Sequence, residues 1–153
     1  MSLYEFLVIV HIVAASIWIG GGTLIAVIAA RTWAVRGDAQ VIELSRIGDF
    51  VGNRVFAPAT LLLIITGVWA VTEGPWEFEQ TWVTIGFTAW TLGFLIAIFW
   101  HRTEGSRIRQ AVGSGGAASA GARRVATASL LVGVLELAIL VVAVWAMVTK
   151  PGL

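Results

Sequence analysis

The chain has no cysteine, and its 153 residues include only two methionines, two histidines and three prolines. The missing thiols exclude disulfides, thiolate metal sites, iron–sulfur clusters and cysteine nucleophiles, and they leave the redox compartment open. Charge is also scarce. Asp, Glu, Lys and Arg make up 12% of the chain, about half the share of a water-soluble domain. Equally absent are a glycine-rich phosphate loop, a catalytic triad and a metal-ligand cluster of recognisable spacing. What fills the space is apolar: 58% of residues are hydrophobic and the mean hydropathy is +0.89.

The apolar residues fall into four runs, 6–30, 55–72, 81–100 and 125–149. Each is roughly 18 to 25 residues long, enough to cross a ~30 Å hydrocarbon core. These runs predict an all-α fold, an integral membrane four-helix up-down bundle in which residues 1–153 form a single transmembrane domain. The first run is read as a retained span: no basic stretch precedes it, Glu5 lies at its start, and it exceeds the length of a signal-peptide core.

Basic residues predict the orientation. Arg31, Arg36, Arg46 and Arg54 lie between spans one and two, and Arg102, Arg107, Arg109, Arg123 and Arg124 between spans three and four. Only Lys150 lies at the other end, where the hairpin between spans two and three carries Glu73, Glu77 and Glu79. Short arginine-rich loops stay cytoplasmic, so both termini are expected outside a bacterial inner membrane. Trp76 and Trp82 near one boundary, and Trp33 and Trp100 near the other, fit interfacial belts. The arginines sit at headgroup level and need no nucleic acid to explain them.

Within the arginine-rich connections, Val41, Leu44, Ile47 and Phe50 or Val51 recur at helical spacing. They predict an amphipathic helix over about 38–53, lying at the interface or running on into span two. Pro58 falls in the first turns of that span, where proline is tolerated. Gly74-Pro75 marks a turn. Residues 110–122 are small and glycine-rich and read as a flexible connection.

Two ionisable residues interrupt the apolar spans. His11 shares one face of span one with Ala14 or Ala15, Trp18, Gly22 and Ile25, and the Gly20-Gly21-Gly22 run leaves room beside the Trp18 indole. Such a face suits a flat cofactor, or a closely packed helix with His11 donating one interhelical hydrogen bond. Glu136 lies near the middle of span four, where a carboxylate must be neutral or paired. Counting ~1.5 Å per residue separates it from His11 by roughly 8–10 Å along the bundle, a gap for one or two waters. Otherwise Glu136 would bond a backbone carbonyl or Thr66. The same count puts His101 more than ~15 Å from His11, at the arginine-rich boundary, where it reads as an interfacial residue and not a second haem ligand. Met147 lies too near the opposite surface for that role. Gly86, Gly93 and Ala97 form a close-packing stripe on span three.

The stretch LYEFLVIVHIVAASIWIGGGTL resembles the first span of the HemJ and copper-resistance-D (CopD) group, with a histidine shortly before a tryptophan-glycine pair. RVFAPATLLLIITGVW is similar to that group's next span. Length and span number make the chain resemble an uncharacterised bacterial membrane family related to both. The resemblance implies haem b, with His11 as the ligand, and a HemJ-like oxidoreductase acting on porphyrinogen. Two departures oppose details: no lysine occurs in any span, and two histidines with two methionines make no soft path for copper.

Three functions follow. The first is a tetrapyrrole-binding protein, with His11 as metal ligand, Trp18, Gly21 and Gly22 shaping the ring site, Arg54 pairing with a propionate, and Glu136 handling protons. Its redox partner is unassigned. The second is a proton- or ion-conducting transporter, built as a homodimer in the lipid bilayer, with His11 and Glu136 as the relay. The third is an accessory subunit without chemistry of its own.

Overall fold

A computed structural model describes residues 1–35 and 37–153. Arg36 lies outside the described residues. Four long helices run through it: α1 (Leu3–Val35), α2 (Asp38–Glu73), α3 (Thr81–Gly115) and α4 (Ala120–Thr149). All four are long and apolar enough to cross a membrane, and no strand occurs among the described residues. The fold is an all-α four-helix membrane bundle.

Local chemistry sets the helix ends. Ser2 and Glu5 form a capping box at the start of α1: Ser2 N–H donates to Glu5 Oε2 at 2.7 Å, and Glu5 N–H to Ser2 Oγ at 3.2 Å. Ser119 Oγ caps α4 by accepting the Ala122 N–H at 3.1 Å. Gly74 stops α2 in extended backbone, and Gly116, at φ 75°, closes α3 in a region open to glycine.

Helices α2 and α3 each contain a π-helical turn, over Gly52–Phe56 and Ala97–His101. The first has a local cause. The Pro58 ring would press on the carbonyl of Arg54 four residues back, and the wider turn just upstream relieves that crowding. The second contains no proline, and its cause lies in the tertiary contacts below.

Beyond these turns both helices continue toward the arginine-rich face and pack on each other. Val41, Val112, Ala117 and Ala122 form a buried cluster there, covered by Trp33, Ile42, Ile108 and Ala111. Arg109 Nη1 donates to Asp49 Oδ2 at 2.7 Å and Ser45 Oγ at 3.1 Å, and Asp38 Oδ1 accepts the Ala117 N–H at 2.7 Å. The expected helix over 38–53 is therefore present and runs on into span two. The expected flexible stretch 110–122 is corrected: it is helical through Gly115 and again from Ala120. Its alanines are small enough to bury between α2 and α4, and that packing orders it.

Within the membrane, α1 packs along α2 and α3 along α4, with α1 also touching α4. The apolar halves of α2 and α3 meet sparingly, and Trp90 Nε1 bridges them by donating to Thr60 O at 3.0 Å. The buried positions are largely small: Ala14, Ala59, Ala89, Gly93, Ala143 and Ala146. Small side chains let helix axes approach, and dispersion contacts at close range hold a bundle in lipid. Leu24, Val27, Leu131 and Val134 face outward, as lipid-facing residues must.

Candidate functional site

Glu136 is the most deeply placed carboxylate, and the structure accounts for both its oxygens. Trp18 Nε1 on α1 donates to Oε1 at 3.0 Å. His101 Nε2 on α3 stands 2.8 Å from Oε2. The other ring nitrogen of His101, Nδ1, stands 2.7 Å from Glu104 Oε2, one turn further along α3. Glu104, His101 and Glu136 thus form one continuous hydrogen-bonded row, anchored at its inner end by Trp18.

Three packing details hold the row. Trp18 is 6% exposed and crosses the bundle to lie on Gly93 of α3, where an added Cβ would sit 2.7 Å from the indole. The π-helical turn of α3 ends on His101, bringing the imidazole round to α4. Side-chain exposure is 13% at Glu136, 37% at His101 in the middle of the row and 21% at Glu104. Ser129 Oγ is buried beside Glu104. The Arg107 guanidinium lies 4.7 Å from the Trp100 ring centroid, so positive charge borders the outer part of the row.

This geometry constrains the protons. An indole N–H can only donate, so Glu136 Oε1 is an acceptor whatever the charge state. Both nitrogens of His101 face carboxylate oxygens. Either the ring is an imidazolium donating twice, or it is neutral and one carboxyl group is protonated and donates to it. The two arrangements differ by one proton moved along a hydrogen bond of 2.7 or 2.8 Å. One proton can therefore shift along the row with every side chain in place, and a second in the same direction requires the imidazole tautomer to be reset first.

His11 is elsewhere. Its Nδ1 lies 2.9 Å from Leu63 O and 3.3 Å from Thr66 Oγ1, and its ring rests on Gly67, all on α2. A carbonyl can only accept, so Nδ1 carries a proton; in the neutral ring the lone pair is then on Nε2. Thr66 gives its own proton to Leu62 O at 2.6 Å. His11 stands seven residues from Trp18, about 10 Å along α1.

The sequence-predicted site residues therefore separate into groups. Trp18 and Glu136 come together. His11 pairs with α2 and makes no contact with Glu136. Gly21 lies under the Phe56 ring, and Gly20 and Gly22 face open space. The glycine that makes room for the Trp18 indole is Gly93, a member of the predicted packing stripe on span three. Arg54 is exposed on the π-helical turn of α2 and forms no ion pair among the described residues. His101, expected as an interfacial residue, is the centre of the row. That expectation counted residues along a straight α-helix. Glu104, missed in the sequence, left one legible signal: it lies three residues after His101, on the same helical face.

Residues 5–151 match the family described as "Predicted integral membrane protein (DUF2269)". The chain belongs to that family. No curated protein and no solved structure matches it. Among the described residues, no group of three or more His, Cys, Asp or Glu side chains is arranged to hold a metal ion. In this family member Glu104, His101 and Glu136 lie in a line, with the imidazole between the carboxylates, and do not converge on one point.

Proposed function

We propose that this protein handles protons within the membrane, as a relay or a proton-coupled carrier, and that Glu104, His101 and Glu136 form its path. The observation that carries the reading is His101 bridging two carboxylates at 2.7 and 2.8 Å between apolar helices. Ionisable groups inside membrane spans are costly to keep and mark proton and ion routes in transport proteins. In this reading a proton enters at the arginine-rich face through Glu104 and reaches Glu136 at mid-bundle. Trp18, which cannot carry a proton onward, separates that half-path from His11. A proton reaching His11 crosses the remaining ~10 Å over water. The arginine-rich face is the cytoplasmic one, in keeping with the distribution of basic residues.

Proteoliposomes holding a pH-sensitive dye test the reading. A proton gradient or voltage across the purified protein should drive dye-detected flux above that of empty vesicles. Glu136→Gln and His101→Gln, each still folded by circular dichroism, should lower that flux at least tenfold. Equal flux in wild type and both variants overturns the reading.

A second reading places haem b on His11, as likeness to the HemJ group implies. It is favoured by the Leu63 carbonyl, which fixes the protonated Nδ1 and frees Nε2, the arrangement of a metal-ligating histidine. His11 would hold the iron, which would supply one-electron chemistry. The remaining residues fit less well: Trp18, Gly21 and Arg54 turn to other surroundings and do not gather round the imidazole. An absorption spectrum of protein expressed with added haem decides it. A Soret band lost in His11→Ala supports haem, and no band in wild type removes it.

A further inference from the structure

At the acidic end of the bundle, aromatic side chains from three places in the chain converge. Trp76 of the hairpin and Trp82 in the first turn of α3 meet edge to face, with ring centroids 5.2 Å apart and planes at 86°. Tyr4 at the start of α1 joins them, its hydroxyl accepting the Trp76 Nε1–H at 3.0 Å. Trp82 Nε1 donates to Gln80 Oε1 at 3.1 Å. Both indole N–H groups are thus satisfied by the chain itself. That fixes the rings and leaves their faces as the recognition surface. Gly74 lets them pack: an added Cβ there would lie 2.7 Å from Trp76 and 2.8 Å from Tyr4.

This corner already holds a cation. Lys150 Nζ stands 3.7 Å from the Trp76 ring centroid and 5.6 Å from that of Trp82, within the ~6 Å range of a cation–π attraction. No carboxylate pairs with Lys150 among the described residues. Its backbone, at φ 45° and ψ 58°, is in the left-handed region and is the one non-glycine residue there among those described. That conformation is a common way for a helix to end, with the Lys150 N–H on Ala146 O, and a cation–π contact is weak, so the rings hold the ammonium loosely. Exposed Glu73, Glu77 and Glu79 lie in or beside the same hairpin, and their negative charge draws cations toward this end of the bundle.

We propose that Tyr4, Trp76 and Trp82 form a binding site for ammonium cations, quaternary ammonium above all, and that Lys150 is its displaceable intramolecular occupant. A methylated ammonium loses less hydration than a lysine and touches both perpendicular indole faces at once, so it competes well for the corner. Such a group comes either from a soluble amine or from a choline headgroup, since the corner lies at the ends of the spans.

Saturation-transfer NMR on tetramethylammonium, with the full-length protein in detergent micelles, reads the site directly. Lys150→Ala should bind the probe saturably, at least tenfold more tightly than wild type. Adding Trp76→Leu should abolish that binding. No saturable transfer in Lys150→Ala overturns the proposal. So does loss, in that variant, of the near-ultraviolet circular dichroism contributed by the Trp76–Trp82 pair, because Lys150 would then be a strut of the corner and not its guest. Nanodiscs of phosphatidylcholine or phosphatidylglycerol separate the sources. Competition by the choline lipid alone assigns the headgroup, and competition by neither assigns a soluble amine.

Discussion

A carboxylate at mid-span is tolerable only if each oxygen is satisfied, and Glu136 meets that condition through two different helices. Truncation would strand both partners. Glu136→Ala leaves the Trp18 N–H and His101 Nε2 unpaired in a water-poor interior, at about 1–3 kcal/mol for each buried polar group left alone. Thermal unfolding in detergent should show Glu136→Ala clearly less stable than Glu136→Gln, which still accepts from Trp18. Equal stability would mean that the Trp18 bond contributes nothing. At this scale the sequence exposed the anomalies but not their partners. His11 and Glu136 stand out because lipid cannot satisfy them. Which groups do satisfy them depends on neighbouring helices: Leu63 and Thr66 for one, Trp18 and His101 for the other.

Among the elements, the π-helical turn of α3 matters most for the row. It closes with Arg102 N–H donating to Ala97 O, five residues back, and so holds one residue more than an α-turn. Inserting one alanine after Ile98, beyond the one extra residue the turn already absorbs, should rotate everything after it by about 100°. His101 would then leave Glu136, and Arg109 would leave Asp49. Proton flux should fall to the level of empty vesicles while helical content is kept. Wild-type flux in the insertion variant would show that the phase of α3 does not position the row. The amphipathic helix after Gly37 was legible because its apolar spacing is local. The π-helical turn was not: AIFWH carries no proline or glycine signal, and its geometry follows from what His101 meets on α4.

For the whole molecule, the distribution of arginine is the strongest asymmetry. It predicts that Ser2→Cys and Leu153→Cys, in this cysteine-free chain, react with an impermeant maleimide on intact cells, whereas Ser114→Cys reacts only after lysis. The opposite labelling pattern would reverse the direction of the proposed relay. Four long apolar runs separated by charged connections were enough to specify span number, helical class and the helical hairpins. Each of those properties depends on the free energy of moving a local stretch of chain from water to hydrocarbon. The order in which helices touch, the phase of α3 and the meeting of Trp18, Glu136, His101 and Glu104 were decided only by the tertiary structure. They depend on close contacts between residues as far apart as 118 positions, as Trp18 and Glu136 are, and no local pattern records such contacts.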